Sequence, residues 1–332
     1  MEGQERAVSI VVPVYNSMAT LGALIERVAP VLASFSPHFE IILVNDGSRD
    51  ASWQTIAELA QQYPFVRGIN LMRNFGQHNA LLAGIRAARY PVIVTMDDDL
   101  QHPPEEIPRL LAKLDEGFDV VYGVPKRRPH SPWRNFTSWL TKRLMSSVVR
   151  VKGAGQLSAF RAFRTEVRDA FAAYQSPTVY LDVLLSWGTT RFGSVKVQHD
   201  PRRVGKSNYT LRKLLRLSLM LLTGFSTAPL RLATIIGVLF ICFGAGVLTY
   251  VVVLSVVYGS VPGVPFLASI IALFAGAQIF ALGIIGEYLA VMYNRMLDKP
   301  AYVIREQDQP MESGGVYAHA GASAATREGM GL

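Results

Sequence analysis

Cysteine is almost absent from this sequence of 332 residues, in which Cys242 is the only one. A single thiol excludes a framework of disulfides within the chain, and it excludes a zinc or iron–sulfur site built from several cysteines. Charged residues are also scarce, at 17%, whereas hydrophobic residues account for 50%. A chain of this length and apolar fraction is not a disordered one, so the composition predicts a folded protein without cysteine cross-links.

Acidic residues are fewer than basic ones, 25 against 33, which gives a formal net charge of +8. A basic excess favours an anionic partner, such as nucleic acid, a membrane surface or a phosphorylated substrate. The start of the chain is polar, and its first apolar stretch runs for only about seven residues before Pro13, which is too short for the core of a secretory signal. We therefore expect the N-terminal half to stay in the cytosol.

Long hydrophobic runs are concentrated near the C-terminus, over residues 232–258 and 264–288. Both runs lack Lys, Arg and Asp, and each exceeds the roughly 20 residues that are needed to cross a bilayer. The short uncharged connection, residues 259–263, predicts a tight hairpin of two transmembrane helices. The alternative is a pair of buried helices in a soluble protein.

Basic residues flank both ends of this predicted hairpin, with Arg231 before the first run and Arg295, Lys299 and Arg305 after the second. An excess of positive charge marks the cytoplasmic side of membrane proteins. The sequence therefore predicts a multi-pass protein of the plasma membrane, or inner membrane, with both ends of the hairpin in the cytoplasm.

The N-terminal half alternates short β-branched runs with amphipathic stretches. The runs are residues 8–12, 40–44 and 91–96, and the stretches between them include residues 21–32 and 81–88. Strands separated by helices predict an α/β fold, a Rossmann-like and mostly parallel sheet with helices on both faces. Ligands of such sheets bind beyond the carboxyl ends of the strands.

Acidic side chains stand at two of these strand ends, where Asp46 follows one strand and Asp97, Asp98 and Asp99 follow another. Consecutive carboxylates repel one another, and a hard divalent cation such as Mg²⁺ or Mn²⁺ offsets that repulsion. A metal held in this way can neutralise charge on a departing diphosphate. The alternative is an acidic turn that caps the helix beginning near Pro103.

Four motifs resemble, in their order, those of the family 2 inverting glycosyltransferases, and among these the polyprenyl-phosphate glycosyltransferases. They are Val-Pro-Val-Tyr-Asn at 12–16, Asn-Asp-Gly-Ser at 45–48, Arg-Asn-Phe-Gly-Gln-His-Asn at 73–79 and Asp-Asp-Asp-Leu-Gln-His-Pro-Pro at 97–104. The resemblance covers about residues 8–305. It implies a GT-A fold and metal-dependent transfer of a sugar, with inversion, from a nucleotide-sugar to an undecaprenyl-type polyprenyl phosphate at the cytosolic membrane face.

With this resemblance the chain divides into four predicted segments. Residues 1–210 form a cytosolic GT-A glycosyltransferase domain, and residues 211–231 form an amphipathic helix in the membrane interface. Residues 232–290 form the two transmembrane helices, and residues 291–332 form a cytosolic tail that is largely disordered after residue 310. A further basic and aromatic stretch, residues 133–144, is expected either in the membrane interface or in the core.

The resemblance also implies roles for individual residues. Asp97 and Asp99 match the two acidic positions of the family's metal motif and are expected to be catalytic through Mg²⁺ or Mn²⁺. The donor-binding positions are Pro13, Tyr15, Asn16, Asp46, Asp98 and Gln101.

Basic residues are expected to contact the phosphates of donor and acceptor. Arg202 and the loop Gly-Lys-Ser-Asn-Tyr at 205–209 match a loop that closes over these phosphates, with Arg202 and Lys206 as catalytic cations. The family's usual lysine is Asn208 here, but Lys206 stands two residues earlier and points the same way in an extended segment; the alternative is a surface lysine. The other candidate phosphate ligands are Arg127, Arg128, Arg134, Arg161, Ser207 and Tyr209.

A dedicated catalytic base is missing from its usual place, because Gln156 stands where many relatives carry aspartate. A lipid monophosphate is already an anion at pH 7, since its second pKa lies near 6. It therefore needs positioning next to the anomeric carbon more than it needs deprotonation. Asp182 is a candidate auxiliary base, with a charge on a helix surface as the alternative.

Three other functions compete with this interpretation. A processive polysaccharide synthase is expected to carry a Gln-x-x-Arg-Trp motif and more hydrophobic runs, and neither is present. A catalytically weakened membrane scaffold of the same fold is suggested by Gln156 and Asn208, whereas Asp97 and Asp99 argue for an enzyme. Nucleic-acid binding rests on net charge alone, so we expect no nucleic-acid partner.

Small residues in the hydrophobic runs, Gly244, Gly246, Gly276 and Gly283, allow close packing of helices. They predict contacts either within one hairpin or between chains of a homo-oligomer.

Overall fold

The structure is a computed structural model, and it describes residues 7–125, 157–198, 227–259 and 263–308. The predicted interfacial stretch 133–144 lies outside these residues, as do residues 211–226 of the predicted interface helix and the tail after residue 310. Residues 227–231 of that predicted helix are described, and Arg231 lies inside a long helix that begins at Ala228.

The described strands and helices alternate over most of the chain. The strands are β1 (Ala7–Val14), β2 (His38–Asn45), β3 (Val66–Leu71), β4 (Val92–Thr95), β5 (Val120–Pro125), β6 (Arg161–Arg164), β7 (Phe192–Val197) and β8 (Ile304–Asp308). The α-helices are α1 (Met18–Ala33), α2 (Ser52–Gln62), α3 (Gln77–Ala87), α4 (Ile107–Asp115), α5 (Leu181–Gly188), α6 (Ala228–Tyr258) and α7 (Val264–Met296). Short 3₁₀ helices cover Pro104–Glu106 and Thr165–Phe171.

The eight strands form a mixed sheet in the order β7-β5-β6-β4-β1-β2-β3-β8. The four central strands, β4, β1, β2 and β3, are parallel, and β5 pairs with β7 in parallel. Strand β6 runs antiparallel to both β4 and β5, and β8 runs antiparallel to β3. The mostly parallel α/β sheet predicted from the sequence is therefore confirmed.

Helices cover both faces of this sheet. Strand β1 is buried along almost its whole length, as expected for a parallel strand with helices above and below. Helix α4 buries Ile107, Leu110, Leu111 and Leu114, a spacing that places one apolar face against the sheet. Helices α1, α2 and α4 pack on one face, whereas α3 and α5 pack on the other.

Two long apolar helices follow the sheet domain. By length and composition alone, Pro229–Val257 of α6 and Leu273–Met296 of α7 could cross a membrane, and neither span is buried against the rest of the protein. The helices contact each other through Phe240 and Phe274, whose rings meet edge to face at 5.5 Å. A side chain at Gly244 would collide with the Phe274 ring, so this glycine serves packing within the hairpin.

The chain returns to the sheet after the hairpin. Strand β8 extends the sheet beyond β3, and just before it the Met72 amide donates a hydrogen bond to the Val303 carbonyl. The sequence interpretation predicted only a cytosolic tail here. The edge strand of the sheet therefore comes from the part of the chain that follows both long helices in sequence.

Candidate active site

A cleft of about 670 Å³ opens at the carboxyl ends of β1, β2 and β4. This is the edge at which ligands of parallel α/β sheets bind. The strands end here side by side, so residues that are far apart in sequence face one space. The cleft is lined by Pro13, Val14, Tyr15, Asp46, Asn74, Gly76, Gln77, Asp97, Asp98 and Asp99.

Asp46 is fixed in the cleft wall by two backbone amides. Its carboxylate accepts hydrogen bonds from the amides of Phe75 at 2.7 Å and Gly76 at 2.9 Å. Burial raises the pKa of Asp46, although these bonds and the nearby Arg73 counteract the rise. The carboxylate thus pins the segment before α3 against the end of β2.

Gly47 permits this close approach. Its φ is +62°, and a Cβ atom there would lie 2.5 Å from the Arg73 carbonyl carbon and 2.5 Å from the Asn74 nitrogen. Any larger side chain would push the two segments apart, and the left-handed backbone also favours glycine. The Asp-Gly pair at the end of β2 therefore combines a polar anchor with the space that the anchor requires.

The three consecutive aspartates after β4 have separate partners. Gln77 donates a hydrogen bond from Nε2 to Oδ1 of Asp97 at 2.7 Å, and the Gln101 amide donates to Oδ1 of Asp99 at 3.1 Å. The Tyr15 amide lies 3.4 Å from Oδ2 of Asp98. Burial raises the pKa of Asp98, hydrogen bonds from Ser17 and Tyr15 lower it, and the charge of Asp99 raises it.

The charge of the cleft suits a cation. Four carboxylates line it, and its described lining contains no Lys, Arg or His. A nucleotide diphosphate is itself an anion, so it needs a counter-charge to enter this cleft, and hard oxygen ligands suit Mg²⁺ or Mn²⁺. Within the described ranges, no group of three or more His, Cys, Asp or Glu side chains converges on one point. A cation here would thus complete its coordination with phosphate oxygens and water.

The structure brings most of the predicted donor and metal residues together. Six of them line the cleft: Pro13, Tyr15, Asp46, Asp97, Asp98 and Asp99. Asn16 and Gln101 lie beside it in sequence but are not part of its lining. The Asn16 side chain instead accepts a hydrogen bond from the Arg49 amide at 2.8 Å, which fixes the loop after β2.

Arg161 and Asp182 occupy a different environment from the one predicted. Arg161 is 2% exposed and Asp182 is 4% exposed, and the two form an ion pair inside the domain. The Asp182 carboxylate also accepts a hydrogen bond from the Tyr122 hydroxyl at 2.9 Å. Neither residue lines the cleft. The alternative that Asp182 is a charge on a helix surface is therefore wrong. Arg161, which was expected to contact a phosphate, contacts the Asp182 carboxylate instead.

This ion pair lies within electrostatic reach of Asp97. Burial is the largest influence on the pKa of Arg161 and acts to lower it, but Asp182 and smaller contributions that include Asp97 together outweigh burial, so the pKa is raised. The guanidinium is therefore a fixed positive charge near the end of β4.

The remaining predicted phosphate ligands and catalytic cations lie outside the part of the chain that the structure describes. They are Arg127, Arg128, Arg134, Arg202, Lys206, Ser207 and Tyr209. Their roles stay predictions.

Sequence reasoning missed the contribution of the segment before α3 and of its first turn. Asn74 and Gln77 line the cleft, and Gln77 holds Asp97. Both belong to the motif at 73–79, which was identified without roles for its members. Their neighbour His78 is half-buried and packs against Tyr180, with ring centroids 4.5 Å apart. Burial is the main cause that lowers the pKa of His78 from 6.5 to about 4.

A chain of hydrogen bonds joins β8 to the loops of the cleft. Asn70 donates from Nδ2 to Oε1 of Glu306 at 2.8 Å, and Asn45 donates from Nδ2 to Oδ1 of Asn70 at 2.8 Å. The Ser48 amide donates to Oδ1 of Asn45 at 3.2 Å, and the Asn16 amide donates to Oγ of Ser48 at 3.0 Å. A residue beyond the long helices thus supports the strand ends that carry the cleft.

Comparison with known proteins agrees with this arrangement. The sequence is 37% identical over 303 residues to undecaprenyl-phosphate 4-deoxy-4-formamido-L-arabinose transferase of Shewanella sediminis, a match that covers 90% of this chain and 92% of the relative. Residues 9–171 match the model of a family described as glycosyl transferase family 2.

Solved structures share the fold at low sequence identity. Glucosyl-3-phosphoglycerate synthase of Mycobacterium tuberculosis in complex with Mn²⁺, UDP and glucosyl-3-phosphoglycerate is 20% identical, with a TM-score of 0.50 over 66% of this chain and 78% of that one. The same enzyme with Mn²⁺, UDP-glucose and phosphoglyceric acid gives 19% identity and a TM-score of 0.50, with the same coverage. The sheet is thus of the GT-A type, and the chain belongs to glycosyl transferase family 2.

Proposed function

We propose that this protein transfers a sugar from a nucleotide-sugar to a polyprenyl phosphate of the undecaprenyl type. The transfer inverts the anomeric centre, depends on Mg²⁺ or Mn²⁺, and takes place at the cytosolic face of the plasma membrane. The 37% identical relative, whose name gives undecaprenyl phosphate as its acceptor, supports the choice of lipid.

One observation carries the proposal: Asp97, Asp98 and Asp99 face the same cleft as Pro13, Tyr15 and Asp46. Acidic side chains are thereby placed opposite the positions expected to bind the nucleotide. A cleft with this charge and this position in the sheet accepts a nucleoside diphosphate together with a divalent cation.

The residues of the cleft divide the work between binding and positioning. Pro13, Tyr15 and Asp46 hold the base and ribose of the donor, whereas Asp97 and Asp99 provide the carboxylates that hold the cation. The cation, when bound, neutralises charge that develops on the departing diphosphate. Gln77 orients Asp97 through its hydrogen bond and so fixes the carboxylate relative to the donor.

The acceptor needs orientation more than activation. Its phosphate is already ionised, so an oxygen atom attacks the anomeric carbon directly once the two are within about 3–3.5 Å. Arg202 and Lys206 bring the two anions together, and Arg127, Arg128, Arg134, Ser207 and Tyr209 are the further phosphate ligands of this proposal. This arrangement requires no carboxylate at Gln156.

The long helices support placement of the cleft beside its lipid. Helices α6 and α7 contain spans of 29 and 24 residues with mean hydropathies of 2.5 and 1.6. We place both in the plasma membrane, with the sheet domain in the cytoplasm, because Arg231, Arg295 and Lys299 stand at the same end of the hairpin.

The test uses the purified full-length chain, radiolabelled nucleotide-sugars, undecaprenyl phosphate and Mn²⁺ or Mg²⁺. Label is expected to appear in the lipid fraction and to disappear with EDTA. Asp97→Asn and Asp99→Asn should each lower kcat by at least about 100-fold, as removal of one electrostatic stabiliser does in other enzymes.

Asp169→Asn is the matched control, since it makes the same chemical change at an exposed position outside the cleft and should leave turnover unchanged. Metal-dependent donor binding without any transfer to lipid would identify a scaffold and overturn the proposal. Equal activity of Asp97→Asn and Asp169→Asn would contradict the part of the proposal that assigns metal binding to Asp97.

A further inference from the structure

A second cavity, of about 340 Å³, lies where the sheet domain meets the end of α7. One wall is the loop of residues 176–178 before α5, and the other is formed by Val291, Asn294, Arg295 and Lys299. The cavity shares no lining residue with the catalytic cleft. It is therefore a separate site, built by two parts of the protein that are more than 100 residues apart in sequence.

Hydrogen bonds from buried groups hold the walls of this cavity in place. The side chain of Asn79, which is 5% exposed, donates to the carbonyl of Pro177 at 3.0 Å and also to the carbonyl of Ala301. The Tyr174 hydroxyl donates to the carbonyl of Thr178 at 2.6 Å. One amide thus ties the 176–178 loop to the segment that follows α7, so the cavity is a preformed feature of the fold.

The charge of the cavity is positive. Arg295 and Lys299 line it, and its described lining contains no Asp or Glu. The hydroxyl groups of Ser176 and Thr178 belong to the opposite wall. Guanidinium, ammonium and hydroxyl groups around one space are the usual partners of a phosphate group.

With the membrane placement given under Proposed function, the cavity also lies at the depth of lipid headgroups. The apolar span of α7 ends at Met296, so Arg295 and Lys299 flank the point at which the helix leaves the bilayer. Basic pockets beside membrane helices on the cytoplasmic side bind the headgroups of anionic lipids. Val291, one turn further into the span, gives the cavity an apolar side toward the acyl chains.

We propose that this cavity binds the phosphate of an anionic glycerophospholipid of the cytoplasmic leaflet. The proposal rests on the membrane placement given under Proposed function. The bound lipid contacts both the 176–178 loop and α7, so it holds the sheet domain against the membrane surface. Asn79 stands two residues after Gln77 in α3, so the element that frames this cavity also carries the side chain that orients Asp97.

The test is native mass spectrometry of the full-length chain, purified in neutral detergent and incubated with phosphatidylglycerol or phosphatidylcholine. One molecule of phosphatidylglycerol should be retained in preference to phosphatidylcholine. The double variant Arg295→Gln/Lys299→Gln should retain it about 25-fold more weakly, which matches the contribution of two basic side chains near an anionic surface.

The matched control is Arg231→Gln/Arg305→Gln, which removes two positive charges outside the cavity and should retain the lipid like the wild type. Equal loss in both double variants would show that net charge alone attracts the lipid and would overturn the proposal. Incubation with undecaprenyl phosphate distinguishes the other source of a lipid phosphate. If the protein retained undecaprenyl phosphate alone, and Arg295→Gln/Lys299→Gln abolished that retention, the cavity would be a site for the acceptor lipid. This result would also overturn the proposal.

Sugar transfer measured on the same preparations separates this proposal from the proposed function. Turnover without selective retention of phosphatidylglycerol would overturn only the proposal that the cavity binds lipid. Selective retention without turnover would support lipid binding by the cavity and overturn only the proposed sugar transfer.

Discussion

His78 shows how a residue next to the cleft is tied to the stability of the domain. The side chain is half-buried between α3 and the start of α5, and its Nδ1 atom lies 3.4 Å from the Leu181 amide, which donates to it. With a pKa of about 4 in place of 6.5, the folded protein leaves this ring neutral where the unfolded chain protonates it. The free energy of unfolding therefore falls as pH drops from 6.5 to about 4.

The first prediction removes this titration. His78→Asn keeps a hydrogen-bond acceptor near the Leu181 amide but no longer binds a proton. Across the window from pH 6.5 to 4, the wild type should lose up to about 3 kcal/mol more stability than the variant, since one pKa unit corresponds to about 1.4 kcal/mol. Thermal unfolding at stepped pH, followed by tryptophan fluorescence, measures this difference.

His38→Asn, at an exposed position on β2, is the control and should follow the wild type. Asp46 and Asp98 contribute with the opposite sign, because their raised pKa values make stability fall as pH rises above their ordinary range. Their contribution is the same in both proteins and cancels in the difference. Parallel pH profiles for wild type and His78→Asn would contradict the prediction.

At the scale of single residues, the sequence predicted the acidic side chains of the cleft better than the basic ones. Asp46 and Asp97 follow β-branched runs directly, so the end of each strand determines where they lie. Arg161 and Asp182 could not be placed in this way, because the pair joins β6 to α5 and exists only once those elements have packed. The ion-pair partner of a charged residue cannot be predicted from the sequence when that partner lies on an element that is brought close only by the tertiary fold.

At the scale of elements, β8 links the end of the chain to the donor side of the cleft. The second prediction concerns Glu306, whose replacement by alanine leaves the buried Asn70 amide without its acceptor. This loosens Asn45 and the loop at Ser48, so the KM for the nucleotide-sugar should rise about fivefold, as expected for the loss of about 1 kcal/mol. The kcat should change little, and steady-state kinetics with saturating lipid separate the two constants.

Two further variants distinguish positioning from a general loss of structure. Glu306→Gln keeps an oxygen acceptor for Asn70 and should restore the KM. Gln307→Ala changes the next residue of β8, whose side chain points to the other face of the sheet, and should behave like the wild type. An increase in KM of equal size in Glu306→Ala and Gln307→Ala would refute the positioning role.

The elements differ in how clearly the sequence predicts them. Strands β1, β2 and β4 were predicted from continuous β-branched runs, because a central parallel strand is apolar on both faces. Strand β8 reads Ile-Arg-Glu-Gln-Asp, which has no such run, and it is a strand because β3 offers an open edge beside it. Strand β6 has only four residues, Arg161–Arg164, and is likewise defined by its neighbours.

At the scale of the whole molecule, the hairpin fixes where each part of the chain lies. Helices α6 and α7 are antiparallel neighbours in contact at Phe240 and Phe274. Strand β8 lies in the same sheet as the N-terminal strands, so the two outer ends of the hairpin are on the same side. In the proposed membrane placement, with the sheet domain in the cytosol, the connection between the helices faces the opposite side of the membrane.

The third prediction tests this topology by cysteine labelling. In a Cys242→Ser background, Ser260→Cys lies in the connection between the helices, and Ser313→Cys lies beyond β8. A membrane-impermeant maleimide added to intact bacterial spheroplasts should label the first variant and leave the second unlabelled until the membrane is permeabilised. The reverse pattern would contradict the proposed orientation, and labelling of both variants in intact cells would contradict a hairpin that spans the bilayer.

The position of β8 imposes an order on biosynthesis. The ribosome releases the seven other strands first, then both membrane helices, and only afterwards the strand that covers the open edge of β3. A nascent chain that stalls before its two long helices are complete therefore presents an unpaired strand edge, the kind of surface that promotes aggregation. Glu306 also arrives last, so the strand ends that carry the cleft gain their final support only after both long helices have been made.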